Sequence, residues 1–398
     1  MGISYTKTKL TCYSGFVVQA IVNNFLPILF IIFKSEYGLT YEELGRLIFI
    51  NFFVQVFADF LTAKISDIIG YRKTAILSQS GAAFGLILLC ITPLLIDNIY
   101  IAIVIPLVFY AFSSGVMEVI LSPMVELLPT KNKGANMAFL HSFYCWGQSF
   151  TVLGTTFLVK VFGFDLWYFV PAIWAIIPIV NSVMFSFVPI IEPDVKDKKE
   201  KREKFFFTRD FFCFVIFMLC AGASEIAMAQ WASMFAQKGL GVSKVIGDLL
   251  GPCAFGIFMG VGRVVYGWFS GRYSVKRVLI LNNILCFACY LIVGICDIPA
   301  LSLVACALCG FSVSLSWPGT YSLAAARFKN IGTIMFSVFA LCGDFGCAMG
   351  PWLLGAVADL IGLKNGFLAC TVFPFAMILT ALFLFKENDC NKDQTVVK

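Results

Sequence analysis

Charge is scarce in this 398-residue chain. Asp, Glu, Lys and Arg together make up 13%, against about 25% in an average soluble domain. Histidine is almost absent, with His141 alone. No set of imidazoles can therefore assemble a metal centre, and neither a nucleophile–base arrangement nor a cofactor motif is visible. We expect no metal, no cofactor and no enzymatic activity. A basic footprint for nucleic acid is lacking too, since 29 Lys and Arg face 23 Asp and Glu. What the chain has instead is apolar sequence. Sixty per cent of its residues are apolar and the mean hydropathy is +0.89, more than a water-soluble globule can hide. Fifteen cysteines fall mostly inside apolar runs (Cys220, Cys286, Cys289, Cys306, Cys309), where they read as small packing residues rather than a disulfide framework. The composition specifies an all-α polytopic membrane protein.

A spanning helix needs about 20 apolar residues. The runs predict twelve, near 12–33, 42–63, 74–96, 99–126, 136–160, 166–190, 211–236, 245–270, 278–296, 299–325, 333–359 and 365–385. The first is long enough to span and lacks a small-residue cleavage site, so it reads as a retained helix rather than a signal peptide. An even number of spans puts both termini on one side. With the N-terminus inside, 22 of the 29 Lys and Arg fall in cytoplasmic segments, as the positive-inside rule requires. Both termini are thus expected in the cytoplasm, and the protein in the plasma membrane as a monomer.

Residues 191–210 form the most polar stretch, with seven basic and five acidic residues between Glu192 and Arg209. It reads as a cytoplasmic linker between a first bundle, 1–190, and a second, 211–386, followed by a tail, 387–398. Weak internal repeats support two halves. Arg72-Lys73 after the second span recurs as Lys276-Arg277 after the eighth, 204 residues later. Gly147/Gly154 and Gly343/Gly350 share a spacing in spans five and eleven, and Pro123 and Pro318 occupy spans four and ten. The pairs Gly81/Gly85, Gly256/Gly260 and Gly346/Gly350 allow close helix approach.

The loop after span two reads Asp67-x-x-Gly70-x-Arg72-Lys73. It resembles the signature loop of the major facilitator superfamily, departing from it at Ala63, Ile68 and Tyr71. Asn23-Asn24 followed by Pro27, Glu118-Val-Ile-Leu-Ser-Pro123 and Trp317-Pro318-Gly-Thr-Tyr321-Ser322-Leu323 are similar to motifs of the fucose/glucose–galactose permease group, mostly proton–sugar symporters. The resemblance implies twelve helices in two pseudo-symmetric six-helix bundles and alternating access to a midplane site. Beyond Asn24 the stretch Phe25-Leu26-Pro27 lacks the acid that the fucose permease carries there, so fucose itself and a two-acid proton scheme are not supported.

Acids at bilayer depth are costly and rarely accidental. Glu118, Glu225 and Asp344 fall near the middle of spans four, seven and eleven and are the candidate proton-coupling residues; each could equally pin helices by a hydrogen bond. Overlaying spans one and seven at an offset of 206 matches Gln19 with Glu225, Asn24 with Gln230 and Phe25 with Trp231. Interleaved amides and aromatics suit sugar hydroxyls and the flat apolar sugar face, although interhelical hydrogen bonding would use the same residues. His141, Tyr144 and Gln148 share a helix face, and Trp317 and Tyr321 are one turn apart. Together with Asn23, these are the candidate substrate-binding residues. Asp67, Gly70, Arg72, Lys73 and Glu126 read as a cytoplasmic gate. Glu126 lies about 12 Å below Glu118, where the superfamily often pairs an acid with the loop arginine. Asp59 and Arg263 occupy matching depths in the two halves. The expected function is proton-coupled symport of a small, sugar-like polar solute. The alternative is proton-driven efflux of amphiphilic compounds, which the 43 phenylalanines favour.

Overall fold

The computed structural model describes residues 5–129, 133–192, 208–269, 274–328 and 333–384. Most of the expected linker, the expected tail and the side chain of Asp67 lie outside the described residues. The chain divides into two compact units, Met1–Lys198 and Lys199–Lys398.

The first unit holds α1 (Thr6–Ile28), α2 (Phe30–Tyr37), α3 (Tyr41–Ile69), α4 (Tyr71–Leu95), α5 (Ile99–Glu126), α6 (Lys133–Phe162) and α7 (Val170–Phe187). The second holds α8 (Arg209–Met234), α9 (Lys244–Asp248), α10 (Ala254–Phe269), α11 (Val275–Ile295), α12 (Pro299–Val313), α13 (Ser316–Arg327), α14 (Thr333–Ile361), α15 (Leu363–Cys370) and α16 (Val372–Leu384). Among the described residues every regular element is helical. This is what a bilayer dictates, since only a helix satisfies its backbone within one segment.

Eleven helical stretches are long and apolar enough to cross a membrane. The fifth expected span, 136–160, forms the long helix α6 but is not one of the eleven. Its polar residues, from His141 and Ser142 through Gln148, Ser149 and Thr151 to Thr156, dilute its apolar character. The helices also run past the apolar runs. The first crossing starts at Thr6 and α3, the helix of the second crossing, extends to Ile69, because helical hydrogen bonding continues into the interface where charge is tolerated.

Local chemistry sets the ends. Thr40 and Glu43 form a reciprocal capping box at α3, with Glu43 N–H donating to Thr40 Oγ1 at 3.1 Å and Thr40 N–H to Glu43 Oε2 at 2.9 Å. Gly70 turns the chain from α3 into α4 with φ +84°, a conformation that favours glycine. Asn98 caps α5, accepting from Ile101 N–H at 3.1 Å. The tenth crossing is broken between Val313 and Ser316. Pro318 accounts for the break: its ring clashes with the carbonyl four residues earlier, that of Ser314, and it has no N–H to bond it. Arg263 Nε of α10 donates to that released carbonyl at 3.4 Å.

Small residues bring the helices together. In the second unit α14 lies against α8 along Gly343, Gly346 and Gly350. A Cβ at Gly346 would stand 2.8 Å from the carbonyl carbon of Leu219, and one at Gly350 2.6 Å from Ala223 O. In the first unit Gly115 of α5 meets the backbone of Gln55 in α3, and Gly147 of α6 meets Ala20 in α1. Large apolar side chains such as Phe57, Phe60, Leu94, Phe157 and Leu281 point outward and are exposed, as lipid-facing positions are.

Gly346→Val should force α14 from α8, because the obstacle is backbone and cannot move alone. We expect a loss of about 1–3 kcal/mol, read as a lowered thermal-unfolding midpoint in detergent. The same change at Gly163, which has nothing within 4 Å of its Cβ position, is barred only by its φ of +83°.

Candidate functional site

In the first unit the polar residues of α1 are folded inward. Gln19, Asn23 and Asn24 are all buried. Asn23 Oδ1 accepts from Gln55 Nε2 at 3.1 Å, from Asn51 Nδ2 at 3.3 Å and from Ser114 Oγ at 3.1 Å. Its Nδ2 donates back to Gln55 Oε1 at 3.4 Å. Ser114 Oγ also stands 3.0 Å from Gln55 Oε1, so its single proton serves one acceptor at a time. Three helices, α1, α3 and α5, are joined by this one buried cluster.

One turn away lies a second rung. Gln19 Nε2 donates to Glu118 Oε2 at 2.8 Å, a charge-assisted bond when the acid is ionised. Gln19 precedes Asn23 by four residues on α1, and Glu118 follows Ser114 by four on α5. The two rungs are therefore one helical turn apart on antiparallel helices. Glu118 is half-buried, and Gln19 Oε1 is buried with no hydrogen-bond donor. Asn24 Nδ2 donates to Ala20 O at 3.0 Å and to Tyr144 Oη of α6 at 3.3 Å. On α6, Gln148 is buried, Tyr144 half-buried and His141 exposed. The His141 ring meets Phe16 edge-on at 5.2 Å.

In the second unit Glu225 is buried, and its Oε2 has no hydrogen-bond partner. Arg263, held at the Ser314 carbonyl, acts on it electrostatically. Gln230 is buried as well. Trp231 does not offer an aromatic platform in this structure. It is 0% exposed, and its Nε1 donates to Pro351 O of α14 at 3.1 Å. Its overlay partner Phe25 is likewise closed in at 1%. Trp317 lies over Gly343, where a Cβ would stand 2.7 Å from its ring. It joins Tyr321 against the cluster of Phe211, Phe214, Met218, Ala324 and Phe339. Asp344 is buried, two residues before Gly346, where α14 closely approaches α8.

The expected gate differs in its partners. Arg72 Nη1 donates to Phe185 O at 2.8 Å and Ser186 O at 3.1 Å. The last carbonyls of α7 have no intrahelical donors and take up the guanidinium. Glu192 supplies the acid: its carboxylate accepts from Tyr71 N–H at 2.7 Å and Arg72 N–H at 3.2 Å, capping the positive end of α4. Glu126 is exposed at the end of α5, and Lys73 is exposed too. Asp59 and Arg263 each lie within their own unit.

Sequence reasoning missed Asn51, Gln55 and Ser114. A signal was present, because Asn51, Gln55 and Asp59 recur every four residues in the otherwise apolar stretch 47–61. It also missed Asn283 of α11, which is 0% exposed with neither amide atom hydrogen-bonded. Among the described residues no group of three or more His, Cys, Asp and Glu side chains could hold a metal ion.

Comparison with known proteins gives three kinds of match. The profile of the Major Facilitator Superfamily matches residues 11–351, and again 254–396. Membrane protein MosC of Rhizobium meliloti is 22% identical over 337 residues, which is 84% of this chain and 80% of that protein. The crystal structure of a D-xylose–proton symporter is similar with a TM-score of 0.78 at 15% identity, covering 96% of this chain and 98% of that one. The nucleoside transporter NupG gives 0.74 at 13%, over 96% and 100%. The E. coli fucose:proton symporter FucP gives 0.66 at 17%, also over 96% and 100%. At these identities the structural likenesses show the fold.

Two substitutions separate packing from binding. Trp231→Phe removes the donor to Pro351 O and should cost about 1 kcal/mol of stability while leaving solute affinity unchanged. Ser114→Ala should cost a similar amount, about 1 kcal/mol, by withdrawing a donor from the Asn23–Gln55 pair. Thermal unfolding and equilibrium binding on the same samples check both.

Proposed function

Because the chain belongs to the major facilitator superfamily, we propose that this membrane transporter is a proton-coupled symporter of a small polar solute, a sugar. The observation that carries the reading is the 2.8 Å bond from Gln19 to the Glu118 carboxylate in a helix where charge is otherwise costly. An ionised Glu118 holds the Gln19 amide strongly. A proton on Glu118 cancels the charge, weakens that hold and frees the amide for a solute hydroxyl. Gln19 Oε1, already without a donor, suits such a hydroxyl, and Asn24, Tyr144, His141 and Gln148 extend the polar face. Proton loading would thus be tied to solute binding, the requirement for symport by alternating access.

Other roles follow on this reading. Glu225 and Asp344 are further proton-linked acids, and Gln230, Trp317 and Tyr321 are the second unit's solute residues. Gly70, Arg72 and Lys73 act with Glu192 as a clamp on the cytoplasmic ends of α4 and α7, with Asp67 and Glu126 as neighbouring acids. We place the protein in the plasma membrane as a monomer with both termini in the cytoplasm. The relatives support the substrate class: one structural neighbour is named for D-xylose and protons, another for fucose and protons.

The test is purified protein in liposomes loaded with a pH-sensitive dye and offered pentoses, hexoses, deoxyhexoses and polyols. We expect one sugar class to acidify the lumen, and Glu118→Gln to reduce that signal to the level of empty liposomes. Silence across the panel from protein shown to be folded would overturn the sugar reading. Acidification driven instead by amphiphilic compounds would favour the exporter.

A further inference from the structure

Between the start of α1 and the end of α7 the first unit has an open groove of about 530 Å³. Lys7 and Leu10 line one wall, and Val180, Val183, Met184 and Phe187 are on the other. Every lining residue except Lys7 is apolar. Two contacts fix the walls. At the foot, Thr8 Oγ1 donates to Pro189 O at 2.6 Å. Deeper, Ser14 Oγ and the Asn181 carboxamide are 2.6 Å apart. From Lys7 to Ser14 is seven residues, about 10 Å along a helix, so the groove runs between a polar contact at its foot and another at its inner end.

The foot of the groove is cationic. Lys7 is exposed in the first turn of the crossing. At the end of α7 the Arg72 guanidinium sits on the Phe185 and Ser186 carbonyls, next in sequence to Phe187, and Lys73 is exposed beside it. The neighbouring acid is Glu192, whose carboxylate is taken up by two backbone N–H groups. Apolar walls at acyl depth below a lysine at the interface match one ligand chemistry.

We propose that this groove binds an anionic phospholipid, one acyl chain lying between α1 and α7 and the phosphate at Lys7. The lysine stem follows the apolar wall and its ammonium reaches the headgroup. A zwitterionic lipid fills the same walls but brings a cation to the cationic foot. The preference therefore resides in Lys7, while the affinity common to both lipids resides in the groove.

The test is native mass spectrometry of the full chain in detergent, titrated with phosphatidylglycerol or with phosphatidylcholine of identical acyl chains. Wild type should bind phosphatidylglycerol about fivefold more tightly, the effect of one lysine near an anionic headgroup. Lys7→Gln should equalise the two lipids and leave phosphatidylcholine binding unchanged. Val183→Trp, at a side chain 53% exposed, should fill the groove and weaken both. Equal affinities in wild type, or a preference for phosphatidylglycerol that survives Lys7→Gln, would overturn the proposal. Lys7 is exposed, so that variant keeps the test decisive even if the bulkier one fails to fold.

Discussion

A polar atom at bilayer depth has no water to bond, and the inner architecture of both units follows from that constraint. Where α12 gives way to α13, Pro318 releases the Ser314 carbonyl, and Arg263 supplies a donor. Where α7 ends, its last carbonyls draw in Arg72. Where α4 begins, its first N–H groups draw in Glu192. The same rule gathers Asn23, Asn51, Gln55 and Ser114 into one cluster, since each amide would be expensive alone. Most of the charged and amide groups named here are placed by the need of some other atom. Glycine then allows the approach: without Gly115, α5 could not lie close enough to α3 for Ser114 to reach Gln55.

The two units spend their polar residues differently. The first sets amides, a hydroxyl and one half-buried carboxylate on two rungs one helical turn apart. The second seals its acids away. Glu225 and Asp344 are buried, and Trp231 is locked by Pro351. A proton reaching Glu118 meets the Gln19 amide, whereas Glu225 Oε2 is buried with no hydrogen-bond partner. That contrast is why the two rungs of the first unit bear the weight of the functional reading.

Much of this was legible in the sequence. Long apolar runs specify helices whatever their neighbours, so the crossings were readable to within a few residues. Gln19, Asn24, Glu118 and Tyr144 stood out in the sequence because rare polar groups in such runs have few uses, but their contacts with one another did not. The break at Ser314 was not placed, since Pro318 marks the helix four residues before itself rather than at itself. The closed setting of Trp231 was not readable, because an overlay of spans one and seven reports equivalent depth but not which face is closed. The carbonyl partners of Arg72 were not readable because a sequence displays acids and hides carbonyls. Asn51 and Gln55 escaped notice because no charge drew attention to their four-residue spacing.

The antiparallel register of α1 and α5 has a mechanical meaning. Gln19 faces Glu118 and Asn23 faces Ser114. A slide of α1 by one turn, about 5.4 Å, would set Asn23 opposite Glu118 and Gln19 opposite Ser122. The carboxylate would find a carboxamide in either position and a serine would stand on the next rung in both. Such a seam has two stops of like chemistry with a mismatch between them, as a ratchet has teeth.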